Sequence, residues 1–390
     1  MEDRHGAVRL EPFAHQVGGH ACMLRYDDTS VCKPLINREK HFYQIMPQEL
    51  RAFTPQFRGV VEVLIEKDNE GYTCMTAFPQ AAPSSSSLSN RRCSASKSRS
   101  VPNLMPGSSS PSSGGDTAQS DSDSDSEESC FKPSASSSIR RRRVPSSPET
   151  GGSSNGRSPW CVRLHRELLA KMQNQAHTFI VLENLAARFQ LPCILDLKMG
   201  TRQHGDDASD EKRRSQIRKC ESTTSSQLGT RLCGMKVYKA DTGRYVCLDK
   251  YYGRGLDKEG VVECLRAFLH NGRRLCKELI RPILRSLQQL RQVIQQQNTF
   301  RFYSSSLLIM YEGVDDLQPQ ECAHHDNEQT SSEGCATCAR VDVRMIDFAH
   351  VTHQGFRGDH TVHAGPDAGY LLGLSNLVLL FEQLLQQCSD

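Results

Sequence analysis

Residues 192–200 read Pro192-Cys193-Ile194-Leu195-Asp196-Leu197-Lys198-Met199-Gly200, and the interpretation of the whole chain turns on this stretch. Cys193–Leu197 is an apolar run of strand length. Alternate residues of a strand point the same way, so Asp196 and Lys198 share one face. Gly200 then permits a turn or a close approach of backbone to a ligand. An acid and a base side by side, followed by Arg202, suit a site that handles phosphoryl groups and metal. A surface strand carrying an ordinary ion pair has the same spacing, so this segment needs company.

Three further constellations supply it. Val343–His350 (VRMIDFAH) is an apolar strand ending in Asp347-Phe348, the arrangement in which a kinase carboxylate holds Mg²⁺ against ATP phosphates. The bland alternative for Asp347 is a turn or helix-capping residue. Near the N-terminus, Gln16-Val17-Gly18-Gly19-His20 precedes one strand and Val31-Cys32-Lys33-Pro34 lies on the next. A glycine pair can approach phosphates closely, and a strand lysine can neutralise them. The chain has neither the GxxxxGK[ST] of a P-loop ATPase nor the HRD catalytic loop of a protein kinase. The fourth constellation is basic. Lys198–Cys220 carries Lys198, Arg202, Lys212, Arg213, Arg214, Arg218 and Lys219 against Asp206, Asp207, Asp210 and Glu211. On a helix capped near Asp207, the acids gather where the dipole favours them. Lys212 and Lys219, seven residues apart with Gln216 between them, then share a face open to a polyanion.

Around these motifs the composition changes twice. Residues 8–80 alternate apolar and polar positions and predict a small β-rich lobe, with a hairpin at His20–Tyr26 and Thr29–Pro34 and a strand at Gly59–Glu66. Residues 81–158 are dominated by Ser, with Pro, Gly, Arg and Asp; such a segment cannot bury enough surface to offset its ordering entropy and is expected to be a disordered insert. Residues 159–390 complete the first lobe and form a larger mixed lobe, which contains the acid–base strand and the basic segment at 192–220. Helices are expected at Cys161–Gln175, Lys258–His270, Arg273–Gln297 and Asp367–Gln387, with Pro282 starting or kinking the third. The class is α+β.

Composition limits the alternatives. The net charge of +3 is too small to imply a nucleic-acid partner, and no stretch reaches the roughly 20 apolar residues of a membrane span. The N-terminus lacks the apolar core of a signal peptide, so the 16 cysteines are expected as reduced thiols in the cytoplasm or nucleus.

Taken together, these residues resemble the inositol polyphosphate kinases, whose signature P-x-x-x-D-x-K-x-G is met by Pro192, Asp196, Lys198 and Gly200. The likeness is strongest to the branch acting on inositol hexakisphosphate, through LEPFAHQVGGH at Leu10–His20, CKPL at Cys32–Leu35, the run Cys193–Ser209, DKYYGR at Asp249–Arg254, FYSSSLL at Phe302–Leu308 and RMIDFAH at Arg344–His350. Ile194 replaces the more usual Val. The resemblance spans most of residues 10–79 and 160–390. It implies a two-lobed inositol polyphosphate kinase fold, related to those of protein kinases and ATP-grasp enzymes. ATP is then the donor, Mg²⁺ the cofactor, and inositol hexakisphosphate, with the pentakisphosphate beside it, the acceptor. Asp196 and Lys198 become the catalytic pair. Pro192–Gly200, Arg202, Lys212, Arg213 and Lys219 become acceptor-binding. Lys33, Glu183, Asn184, Leu185, Asp196 and Asp347 become ATP-binding, with Asp347 holding the metal and Ser305–Leu307 near the nucleotide. The same resemblance leaves open a multikinase or 3-kinase acting on ring hydroxyls; a catalytically idle scaffold is the reading from another class.

Two features lie outside that core. The insert carries DSDSDSEE (Asp121–Glu128), a candidate for phosphorylation, and four arginines at Arg140–Arg143, a candidate nuclear localisation signal; it is where regulatory proteins would bind. Cys322, His324, His325, Cys335 and Cys338 form a C-x-H-H…C-x-x-C cluster compatible with tetrahedral zinc or with an ordinary polar loop.

Overall fold

Apolar alternation builds a first antiparallel sheet from β1 (Val8–Arg9), β2 (Glu11–Pro12), β3 (Leu24–Arg25), β4 (Ser30–Pro34), β5 (Phe57–Lys67), β6 (Thr73–Pro79) and β7 (Ala176–Glu183). The computed structural model describes residues 6–19, 21–67, 73–79, 159–172, 175–314, 341–356 and 359–387. The strand order is β1-β6-β5-β7-β4-β3-β2, so β7, which follows the Ser-rich insert in sequence, pairs with both β5 and β4. Its side chains divide by parity. Phe179 and Val181 join Leu24, Cys32, Val63 and Ile65 on one face, whereas Ile180 and Leu182 join Val31, Phe42, Tyr43 and Leu50 on the other. The first face receives α3 (Pro159–Lys171) through Leu169; the second receives α1 (Asn37–Ile45) and α2 (Gln48–Arg51).

The second sheet contains β8 (Pro192–Met199), β9 (Thr230–Lys239), β10 (Arg244–Leu248), β11 (Ser306–Glu312) and β12 (Val341–Ile346), antiparallel in the order β10-β9-β8-β11-β12. β8 is central, and all eight of its residues are buried. Cys193, Leu195, Leu197 and Met199 enter the main core with Leu265 and Phe268 of α7 (Lys258–Leu269), Leu287 of α8 (Ile280–Gln295) and Phe381 of α9 (Ala368–Gln386). Ile194 packs into a separate, smaller cluster, and Asp196 and Lys198 have the same parity as Ile194. Between β8 and β9 lie α4 (Asp210–Glu221) and α5 (Ser225–Leu228); α6 (Lys250–Arg254) follows β10.

Several expectations shift. The first strand of the N-terminal hairpin shortens to Leu24–Arg25, and residues 16–19 form a loop above the second sheet. α4 begins at Asp210 rather than near Asp207, because the Ser209 hydroxyl accepts from the Lys212 amide and caps it. The helix expected from Arg273 begins at Ile280, after a single 3₁₀ turn at Lys277–Leu279. Pro282 therefore sits in the first turn, where its missing N–H removes no helical bond, and starts the helix rather than kinking it. Among the described residues α9 comes nearest to the length of a membrane span: it is 19 residues long with a mean hydropathy of 1.4 over its best window. Its apolarity has a packing reason, since Tyr370, Leu374, Leu377, Phe381 and Leu384 are wholly buried against the rest of the second lobe. The insert with Asp121–Glu128 and Arg140–Arg143, and the Cys322–Cys338 cluster, lie outside the described residues.

One glycine contact brings α9 onto the end of β8. A Cβ on Gly373 would lie 2.4 Å from the Gly229 carbonyl oxygen and 2.8 Å from Met199 Cε, and that carbonyl accepts from the Gly200 amide at 2.8 Å. Gly373→Val should cost about 1–3 kcal/mol through overpacking against backbone that cannot withdraw. Leu379→Gln, at an exposed position of the same helix, should change stability by no more than about 0.5 kcal/mol. Urea unfolding of the two variants measures the difference.

Candidate active site

The site begins with a buried lysine. Lys33, on β4, is 7% exposed; its Nζ lies 2.9 Å from Asp347 Oδ1 and 2.9 Å from Glu39 Oε1. Burial pushes its pKa down, but the Asp347 and Glu39 carboxylates outweigh that and raise it above the usual lysine value. Glu39 belongs to α1, and the same Oε1 accepts from the Phe348 amide at 3.1 Å. Asp347, just beyond β12, sits at φ +63°, a left-handed conformation that short polar residues tolerate at a modest cost. Glu39 escaped the sequence reading. The one signal for it was a carboxylate six residues after Lys33, on a segment not recognised as a helix.

Asp196 faces this group from β8. It is 1% exposed, and its Oδ1 has no hydrogen-bond partner. Burial, then the charge of Asp347, raises its pKa to about 6, against opposing pulls from Lys198, the Ser306 hydroxyl and Arg231. The pairing with β9 shifts register between Asp196 and Leu197, because Cys233 of β9 is an extra, bulged residue opposite this point. Above it lies the glycine loop. A Cβ on Gly18 would fall 2.0 Å from Asp196 Oδ2, so only glycine allows the loop to lie here; Gln16 holds it by donating to the Gly18 and Ala21 carbonyls. On the far side, Lys198 Nζ donates to the Ser304 carbonyl at 2.6 Å. Ser304 is the other non-glycine residue with positive φ among those described, so both such residues border this site. Arg231 pairs directly with Lys198 across β8 and β9, which puts the two side chains on one face. It is 6% exposed and donates to the Ser225 hydroxyl at 3.1 Å. The sequence reading missed Arg231 because nothing local distinguishes an arginine at a strand start.

A third apolar cluster joins the glycine loop to the turn between β7 and β8: Val17, Leu185, Phe189, Ile194 and Met310, with Leu308 and Ile346 against it. Glu183 and Asn184 depart from the expectation. The Glu183 carboxylate accepts from the Gln56 amide at 3.1 Å, and Asn184 donates to the Asp28 carbonyl and accepts from the Ala186 amide. Their side chains close the turn between the sheets rather than entering the cleft.

The acceptor segment is corrected in the same way. Cys193, Leu195, Leu197 and Met199 are core residues, and Pro192 opens the strand opposite Glu312. Their side chains build the platform, while Asp196 and Lys198 project from it. Arg202 is engaged by Asp206 at 2.5 Å and lies over the Tyr303 ring at 4.2 Å; Asp206 in turn bonds His363 at 2.6 Å. Burial pushes the Asp206 carboxyl up, but His363 and Arg202 hold it below its usual value. On α4, Gln216 and Cys220 face inward. Lys212 and Lys219 flank them half-buried, and Arg213, Arg214 and Arg218 are exposed.

Paired carboxylates next to a buried lysine, under a glycine loop and beside an apolar cluster, have the layout of a nucleotide-dependent phosphotransferase. Residues 179–382 match the sequence model of the inositol polyphosphate kinases. Inositol hexakisphosphate kinase 1 of Rattus norvegicus is 42% identical over 407 residues, covering 97% of this chain and 94% of its own. Inositol hexakisphosphate kinase 3 of Homo sapiens is 39% identical, covering 98% and 97%. Inositol hexakisphosphate kinase 2 of Rattus norvegicus is 38% identical, covering 100% and 98%. A solved structure of the inositol phosphate multikinase of S. cerevisiae is 28% identical over 54% of this chain and 84% of that one, with a TM-score of 0.43. The chain belongs to the inositol polyphosphate kinase family.

The Asp196 environment has a measurable consequence. Folding raises this pKa from 3.8 to about 6, so the folded protein retains a proton that the unfolded chain releases. That contribution to stability is complete below pH 3.8 and is lost as the pH rises through 6. In EDTA at pH 7.5, Asp196→Asn should therefore be more stable than wild type by up to about 3 kcal/mol, and the difference should disappear near pH 4. Denaturant melts at the two pH values check this; equal stability at pH 7.5 would refute the assignment.

Proposed function

We propose that the protein transfers the γ-phosphoryl group of ATP to a phosphate of inositol hexakisphosphate, giving ADP and a diphosphoinositol polyphosphate. The observation that carries this is the division of charge along one face of β8 and its neighbours. Carboxylates (Asp196, Asp347) lie under the glycine loop, and cations (Lys198, Arg231) lie beyond them, in a chain about 40% identical to inositol hexakisphosphate kinases over nearly its full length.

The oxygen donors of Asp196 and Asp347 suit a divalent cation. Asp196 has a buried oxygen without a partner, and the repulsion from Asp347 that raises its pKa is what a bound cation relieves. All-oxygen ligation suits Mg²⁺, with Asp347 and Asp196 as its protein ligands. When bound, the ion supplies charge neutralisation to the ATP phosphates. The adenine ring would lie against the apolar cluster of Val17, Leu185, Ile194, Met310 and Leu308. Lys33, positioned by Glu39, would contact the phosphates beneath Gly18 and Gly19. Lys198 and Arg231 would hold the accepting phosphate, and Lys212, Arg213 and Lys219 of α4 the remaining phosphates of the ring.

The reacting oxygen is already anionic when the acceptor is a phosphate, so no proton must leave it. Its attack forms a P–O bond to the γ-phosphorus as the bond to the ADP oxygen breaks. The barrier is then mainly the approach of two polyanions, met by positioning and fixed cations. Asp196 orients rather than abstracts. The Arg140–Arg143 run supports a proposed distribution between cytoplasm and nucleus.

Incubation with Mg²⁺-ATP and inositol hexakisphosphate should yield a pyrophosphorylated product; its absence with folded protein defeats the reading, and phosphorylation of ring hydroxyls alone identifies a multikinase instead. Asp347→Asn should abolish turnover while acceptor binding, measured by calorimetry, stays within about threefold of wild type. Lys212→Ala with Lys219→Ala should raise the KM for the inositol phosphate roughly tenfold or more, and that for ATP less than about twofold. Equal increases in both would remove α4 from the acceptor site.

A further inference from the structure

Arg38 and Glu39 are consecutive residues of α1 with different partners. Glu39 holds Lys33 and the Phe348 amide. Arg38 reaches two loops of the other lobe. Its Nη1 donates to both carboxylate oxygens of Asp359, at 2.9 and 3.0 Å, and to the Val351 carbonyl at 3.3 Å. Its Nη2 donates to Asp207 at 3.2 Å, and the guanidinium lies 4.1 Å from the centre of the Phe356 ring. The reaction described above uses none of these contacts.

The two legs of this fork differ in strength. The Asp359 side chain is 2% exposed and also accepts from the Thr352 hydroxyl, and Thr352 is bridged to Arg301 by backbone hydrogen bonds. This leg is a buried, charge-assisted anchor. The Asp207 side chain is 56% exposed and makes a single bond, so solvent screens it and it contributes little to stability. The anchor ties α1 to the segment that follows Asp347. The weak leg ties α1 to the loop between β8 and α4, where Asp206 bonds His363 of that same segment. α1, the loop after β8 and the segment after Asp347 therefore form a closed circuit.

We propose that Arg38 is a positioning residue that couples occupancy of the acceptor site to the setting of Lys33, Glu39 and Asp347. The proposal rests on the reading that a polyphosphorylated acceptor binds between Lys198 and α4. Asp207 is a negative charge at the rim of that site, and Arg38 neutralises it. An arriving polyanion repels the Asp207 carboxylate toward Arg38 and strengthens the weak leg. That draws on α1, and with it Glu39. By linkage, a nucleotide that settles Lys33 against Glu39 strengthens acceptor binding by the same factor. Lysine cannot replace Arg38, because a single ammonium cannot span Asp207 and Asp359 while stacking on Phe356.

Calorimetry tests this with the full chain, Mg²⁺ and the non-hydrolysable analogue AMP-PNP, with and without saturating inositol hexakisphosphate. The acceptor should tighten AMP-PNP binding to wild type roughly fivefold or more. In Arg38→Met, which keeps the stem against Phe356 but lacks the fork, the ratio should fall to about 1, with AMP-PNP alone binding within about twofold of wild type. Asp207→Asn alters only an exposed side chain and spares the anchor, so it serves as the second variant should Arg38→Met fail to fold; it too should bring the ratio to about 1. Retained tightening in a folded variant, or no tightening in a wild-type protein that makes product, overturns the proposal. A wild-type protein that neither binds nor phosphorylates inositol hexakisphosphate overturns the proposed function itself.

Discussion

A buried ammonium held between two carboxylates from different lobes sets the position of nearly everything else. Lys33 comes from the first sheet, Glu39 from the helix beneath it and Asp347 from the end of the second sheet. Removing three such charges from water is expensive, and their mutual attraction recovers the cost only in good geometry. The main core supplies that geometry. Phe42, one helical turn from Glu39, packs 4.4 Å from Phe348, the residue after Asp347, and Tyr43 lies 5.5 Å from the same ring. The aromatic contacts align α1 with β12, and the charges specify one alignment out of the many that a purely apolar seam would allow.

The same constraint explains where the structure holds strain. Asp347 occupies a left-handed conformation, Ser304 does likewise while offering its carbonyl to Lys198, and Asp196 keeps a buried oxygen without a partner. Each is unfavourable alone, and each lies within one cleft. Asp196 and Lys198 cannot relax away, because Leu195, Leu197 and Met199 on the same strand are locked into the core. A strand whose odd residues are immobilised by packing presents its even residues at fixed positions, whatever those positions cost.

This division also marks how far the sequence could be read. The period of two put Asp196 and Lys198 on one face, the glycine pair marked a loop able to approach phosphates, and the apolar run before Asp347 marked the second carboxylate. These signals are local, so they survive without knowledge of tertiary contacts. Glu39 and Arg231 are not locally marked; they acquire meaning only when α1 docks below β12 and when β9 pairs in register with β8. Cys193, Leu195, Leu197 and Met199 differ in the opposite sense, since their side chains enter the core. A contiguous motif was treated as a contiguous site, although a strand can offer a ligand only every second side chain. The side chains of Glu183 and Asn184 are taken up by the backbone groups that a turn between two sheets leaves to be satisfied.

The charge layout bears on the kind of acceptor the cleft can hold. Near the glycine loop the carboxylates outnumber the cations, which is tolerable only where a divalent ion and a polyphosphate arrive together. Beyond Asp196 the balance reverses. Lys198 and Arg231 are both buried, and their hydrogen bonds described above go to a carbonyl and a hydroxyl rather than to carboxylates. A neutral sugar hydroxyl would leave two desolvated cations facing a group with little charge to offer. An anionic phosphate offsets the desolvation of both and brings its own nucleophilic oxygen in ionised form. The site therefore suits an acceptor phosphate, and in the proposed reaction the carboxylate between the two halves would separate the charges rather than collect a proton.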